Sequence, residues 1–150
     1  MRKPHQILAF PYKKDESGKY IYAIFRRADF KNEVWQGIAG GVEDEETYLE
    51  ACKREANEEA GISYFANVIE LESIATIPVL NVVKEFLWGS DKCLIYEHCF
   101  GIDATKENII LSHEHDKFEW LEYEDAKNKL KYDSNKTALW ELNYKLNNLL

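Results

Sequence analysis

The chain has 150 residues, 45% of them hydrophobic, 13% aromatic and 31% charged, with a net charge of −8 at pH 7. That profile predicts one soluble globular domain over residues 1–150 with a real core, and the acidic balance argues against a broad nucleic-acid groove, which is built from Lys and Arg. No window approaches the roughly 20 apolar residues of a membrane span, the N-terminal MRKPHQILAFPY has no signal-peptide character, and Cys52, Cys93 and Cys99 make neither a metal-spaced pair nor a disulfide framework, so the expected setting is a reducing cytoplasm.

His5 to Tyr12 is short and apolar and reads as a first strand. Lys13 to Lys19, with Ser17-Gly18, reads as a turn. Tyr20 to Phe25 is β-branched and aromatic, a second strand that runs into Arg26 and Arg27 and makes a hairpin with the first. Ala28 to Val34 is a polar loop. Gly37, Gly40 and Gly41 then fall within Trp35 to Gly41, which suits a strand end and a tight path that brings backbone carbonyls near a ligand.

Glu45 to Ala60 predicts a helix, with Asp44 as its N-cap, Gly61 as its C-cap and Leu49, Cys52, Ala56 and Ala60 as its apolar stripe. On that helix Glu55, Glu58 and Glu59 stand at i, i+3 and i+4, on one face. Carboxylates at this spacing repel by a few tenths of a kcal/mol per pair. A solvated face has no use for that arrangement, whereas a hard divalent cation takes oxygen ligands and offsets the repulsion. Arg54, next to the acids, is expected to hold them from one side, through Glu46 among others.

Val68 to Val79 and Lys92 to Phe100 are β-rich, and Leu80 to Asp91, with Trp88-Gly89-Ser90, reads as the loop between them. Phe118 to Leu121 is a short strand and Glu122 to Leu130 a helix. Ser134 caps a last helix with Leu139, Leu142, Leu146 and Leu149 on one stripe. The strand and helix order reads β-β-β-α-β-β-β-α.

Gly40, Glu46 and Arg54-Glu55-Ala56-Asn57-Glu58-Glu59-Ala60-Gly61-Ile62 together resemble the signature of the Nudix hydrolases, G-x5-E-x7-R-E-U-x-E-E-x-G-U, where U is a bulky aliphatic residue. Every charged and glycine position matches. The first U is Ala56, a packing position on the buried side of the helix, so the departure bears on core volume and not on chemistry. The resemblance implies an α/β/α sandwich: a mixed central sheet between helices, with the signature loop-helix-loop at its centre. It implies metal ligation by Glu55, Glu58, Glu59 and the backbone carbonyl of Gly40, with Mg²⁺ as the cofactor and Mn²⁺ able to stand in. The implied reaction is attack of water on phosphorus in a small phosphoanhydride substrate.

Members of that family differ in where the general base lies. It is expected at a signature glutamate, Glu58 among them, or at Glu114 in Leu111 to Asp116, and Arg54 completes the catalytic group. Glu114-His115 followed by Trp120-Leu121, with the Arg26-Arg27 and Trp35-Gln36 landmarks, resembles the bacterial dihydroneopterin triphosphate and nucleoside triphosphate pyrophosphohydrolases. Candidate substrate contacts are Arg26 and Arg27, which alternation sends to opposite faces, Trp35 as a stacking ring or a core residue, and His115. Glu97 and His98, on an alternating strand, are weaker candidates, and Phe30, Trp88 and Tyr96 are core or loop-tip residues. Pro78, sixteen residues after Ile62, keeps open an ADP-ribose or sugar-nucleotide pyrophosphatase. A non-catalytic nucleotide-binding module on the same fold is the reading from a different class; the intact Arg-Glu-x-x-Glu-Glu core argues against it.

Overall fold

The strands and helices were described in a computed structural model covering residues 1–28 and 33–150; Phe30 and the middle of the polar loop lie outside the described residues. Strand β1 (Arg2–Lys14) is the spine. Its first half pairs antiparallel with β4 (Ile38–Glu43) and its end pairs antiparallel with β2 (Tyr20–Arg27), as the hairpin reading expected. On its other side it pairs in parallel with β6 (Leu94–Asp103). The edge strand β5 (Val68–Pro78) pairs with β6, while β3 (Trp35–Gln36) and β7 (His115–Leu121) pair with β2. The result is one mixed seven-stranded sheet.

The alternation of β1 sorts the core. Ile7 and Ala9 face helix α1 (Tyr48–Ala60), with Phe25, Ile38, Val42, Phe100 and Ile102 around them. Leu8, Phe10 and Tyr12 face the opposite way, toward α2 (Tyr123–Lys129) and α3 (Asp133–Asn148), which bring Ala126, Leu139, Leu142 and Leu146. A period-2 strand with both faces apolar must be covered on both sides, and the helices do so: the α/β/α sandwich is present. Leu149 leaves the predicted stripe and is exposed. The observed order has four strands before α1 rather than three, because a glycine-rich backbone splits at Gly37 into β3 and β4.

Helix α1 starts at Thr47, not Asp44. The Thr47 side chain accepts from the Glu50 backbone N–H, and the Glu50 carboxylate accepts from that of Thr47. This capping box satisfies two donors at once and contributes about 1 kcal/mol. At the other end Gly61 takes φ 68°, and the Gly61 and Ile62 N–H groups close on the carbonyls of Asn57 and Ala56. The buried stripe of α1 is Ala51, Cys52, Ala56 and Ala60. Small side chains let the helix backbone approach the sheet, and the same rotation turns Glu55 and Glu59 inward.

Candidate active site

Arg54 is the hub of the acidic face. Its Nε donates to Glu46 Oε2 at 2.6 Å and its Nη2 to Glu46 Oε1 at 2.9 Å and to the Gly41 carbonyl at 2.8 Å. Its Nη1 donates to Glu55 Oε1 at 2.8 Å and to Glu58 Oε2 at 3.3 Å. Glu46 is therefore the partner the sequence expected. The paired guanidinium holds the Glu46 carboxyl below the usual carboxylate range, and the fork geometry fixes orientation as well as charge.

The three acids differ in environment. Glu58 is more than half exposed. Glu55 is buried against Gly40, where any added methyl group would overlap its carboxylate, so the approach of helix to strand here needs glycine. Burial raises the Glu55 carboxyl although Arg54 pulls the other way. Glu59 is 3% exposed, and its Oε2 is buried without a hydrogen-bond partner. Burial first, then contact with Glu114, push the Glu59 carboxyl up to about 10. Glu114, at the mouth of the loop before β7, goes the other way: the shared contact with Glu59, and then the charge of Arg27, hold it below its usual range.

Glu55, Glu58, Glu59, Gly40, Arg54, Glu114 and Arg27 thus gather along one edge of α1. Arg26, the other member of the pair, turns away and makes a two-pronged ion pair with Asp116 at 2.8 and 2.7 Å. His115 is buried against the Phe25 ring. Trp35 lies in the core on the opposite face, its indole N–H donated to Glu33 and Lys129 over its ring, so it is placed as a core residue and not at the acids. Sequence reasoning missed the Gly41 carbonyl as an anchor for Arg54, which no side-chain pattern could reveal. It also missed the polar chain of Arg2, Gln6 and Glu97, whose spacing spans two strands.

The donor set suits a hard cation. An orphaned buried carboxylate oxygen, a second carboxylate pressed on a glycine backbone and a third at the rim are all oxygen donors, and two of the three are acids that burial holds at raised pKa. Among the described residues no three His, Cys, Asp or Glu side chains converge on one point as they stand, because Arg54 draws one oxygen each of Glu55 and Glu58 to itself. The fit rests on chemistry and proximity.

Comparison with known proteins identifies the family and the fold. The NUDIX domain model matches residues 7–140. A provisionally assigned Nudix hydrolase of Listeria monocytogenes is 38% identical, with a TM-score of 0.84 over 97% of this chain and 96% of that one. The dihydroneopterin triphosphate pyrophosphohydrolase of E. coli is 23% identical, with a TM-score of 0.76 over 95% of this chain and 97% of that one. An Ap4A hydrolase of C. elegans is 21% identical, with a TM-score of 0.73 over 95% and 97%; these last two speak for the fold. No curated protein matches in sequence. No described helix is long and apolar enough to cross a membrane. The chain belongs to the Nudix family and is a Nudix hydrolase, a pyrophosphohydrolase of the kind that acts on nucleoside diphosphate derivatives and generally uses divalent metal ions.

Proposed function

We propose that this hydrolase cleaves a nucleoside triphosphate or dihydroneopterin triphosphate to the monophosphate and pyrophosphate. The observation that carries this reading is the gathering of carboxyls at one place: Glu59, buried with an unpartnered oxygen and in contact with Glu114, beside the Glu55 carboxylate pressed on Gly40. Glu55, Glu58, Glu59 and the Gly40 carbonyl would hold Mg²⁺. When bound, the ion neutralises polyphosphate charge and acidifies water.

The chain's own groups supply the rest. Glu114, held below the usual carboxylate range by its contact with Glu59 and then by the charge of Arg27, accepts the proton of the attacking water as its oxygen bonds to the α-phosphorus, and the bond to the pyrophosphate leaving group breaks. Arg54 keeps Glu55 and Glu58 in register and Glu46 anchors Arg54. Arg27 brings positive charge to the Glu59 and Glu114 carboxyls. Its place there suits it to an arriving phosphate. The three cysteines are free, in keeping with a reducing cytoplasm.

The test is a product screen with Mg²⁺, then Mn²⁺, across nucleoside triphosphates, dihydroneopterin triphosphate, ADP-ribose, nucleotide sugars and dinucleoside polyphosphates. Release of pyrophosphate from a triphosphate is the expected result. Turnover of ADP-ribose or a nucleotide sugar alone would replace the triphosphate reading. Binding without turnover across the panel would leave a nucleotide-binding module.

A further inference from the structure

A second buried carboxylate stands outside the catalytic group. Glu97 on β6 is 3% exposed and faces Gln6, its register partner on β1, which is 7% exposed. Gln6 Nε2 donates to Glu97 Oε2 at 2.6 Å, and Gln6 Oε1 accepts from Arg2 Nη2 at 3.1 Å. The chain ends unmatched at both sides: Glu97 Oε1 and Arg2 Nε are buried without hydrogen-bond partners. One end is an acceptor and the other a donor. Buried polar atoms in native structures are nearly always paired, so two orphans in a single hydrogen-bonded chain call for a partner that the fold itself does not supply.

The place of this chain is as informative as its chemistry. Gln6 is also the register partner of Gly41 on β4, and the Arg2 side chain lies over Gly41, so that a Cβ there would come within 2.7 Å of Arg2 Nε. Gly41 is the neighbour of Gly40, whose opposite face carries the Glu55 carboxylate. From Gly41 across β1 to Glu97 is two strand spacings, about 10 Å. Glu55 and the Arg2–Gln6–Glu97 chain lie on opposite faces of the sheet, and β4 pairs with β1, so a substrate whose phosphates lie at Glu55 and Gly40 would carry its ring around the outer edge of β4 to reach Arg2 and Glu97. Burial raises the Glu97 carboxyl, which makes an added donor at its free oxygen more valuable.

We propose that Glu97, set by Gln6 and Arg2, is the residue that selects the ring of the substrate, and that it selects a 2-amino-4-oxo edge, as in guanine or a pterin. This rests on the triphosphate reading above. Such an edge offers a ring N–H and an amino group side by side, which a carboxylate accepts together, with a carbonyl beyond them for an arginine N–H. Adenine and cytosine set a ring acceptor beside their amino group, and a carboxylate repels it. Uracil and thymine place their single N–H between two carbonyls. A site built to satisfy a donor rejects a ring that lacks it, because its own buried group is then left unpaired.

The experiment compares GTP, ITP and ATP as substrates, and GMP, IMP and AMP as ligands by calorimetry, for the native protein and Glu97→Gln, with Mg²⁺ present. Inosine differs from guanosine only by the missing amino group. The native protein is expected to prefer GTP over ITP in kcat/KM by about 10- to 100-fold, the range of a hydrogen bond to a charged group. Glu97→Gln should erase most of that preference, and the loss should appear as a raised KM for GTP rather than a lowered kcat. Thermal melting checks that the variant is folded, and the GTP-to-ITP ratio of the native protein tests the idea with no variant at all. Triphosphate hydrolysis with no guanine preference would overturn this inference and leave the triphosphate reading standing. Preferential GMP binding that Glu97→Gln abolishes, with no triphosphate hydrolysed, would do the reverse.

Discussion

Glu59 and Glu141 are the same residue type, nearly equally hidden at 3% and 7% exposure, on helices that cover opposite faces of one sheet. Glu141, on α3, accepts from the backbone N–H groups of Glu72 and Ser73 at 2.6 and 2.8 Å and from the Ser73 hydroxyl at 2.6 Å, and pairs with Lys145 at 2.9 Å. Burial would raise its carboxyl, but these donors outweigh burial and hold it below the usual range. Glu59, on α1, has a buried oxygen with no partner and a second carboxyl against it, and its own carboxyl rises. The fold can satisfy a buried carboxylate, since it does so at Glu141. At Glu59 it withholds the donors, and the group is left to a partner from outside.

The sharpest way to break this contrast is Glu59→Gln. Turnover with Mg²⁺ should fall by about 10³-fold, the several kcal/mol that a charge-neutralising ion supplies. Stability without metal should hold or rise, since a buried carboxyl with an unpaired oxygen is gone. Native protein at an Mg²⁺ concentration 100-fold over its Kd should melt about 5–10 °C higher, and the variant should not. A native-like metal shift in Glu59→Gln would remove this residue from the cation site.

Glu114→Gln tests the other half of the pair. If Glu114 takes the water proton, the rate falls by about 10²-fold or more while substrate affinity is held. A rate within about 3-fold of native would make a signature glutamate, Glu58 first, the base instead. Arg54→Ala should act on stability and activity together. It strips Glu46, Glu55 and Glu58 of a shared partner that is itself only 22% exposed, and should cost about 2 kcal/mol in urea unfolding and about 10²-fold in rate through misplaced acids. Loss of rate with native stability would confine Arg54 to the chemistry.

What the sequence made legible was whatever depends on spacing along one element. Glu55, Glu58 and Glu59 share a face by helical period alone, and Gly61 ends the helix by its freedom at positive φ. The capping box is equally local, with Thr47 and Glu50 three apart, but the four acids from Glu43 to Glu46 precede it and draw the cap reading to Asp44. Illegible were the contacts that cross strands. Arg26 and Arg27 are adjacent, and which of them meets the acids is settled by the bulge in the β2 and β7 register, which gives Asp116 to Arg26. Trp35 could stack or pack until β3 was placed over α2 and Leu130. Gln6 and Glu97 lie 91 residues apart and meet only because β1 and β6 run in parallel.

The smallest expected effect is at Glu141, and it carries a sign that separates the two acids. Its folded pKa lies below its unfolded value, so its contribution is fully present above about pH 4.3, the ordinary glutamate value, and is lost as pH falls through the folded pKa. Glu141→Gln should therefore cost about 1–3 kcal/mol at pH 7, since its amide cannot accept from all four donors, and leave turnover within about 2-fold. Urea unfolding at pH 7, 5, 4 and 3 should show the gap between native and variant constant at the first two values and closing at the last two. A gap independent of pH would mean that α3 is held to β5 by its leucines, with Glu141 carrying no charge-dependent share.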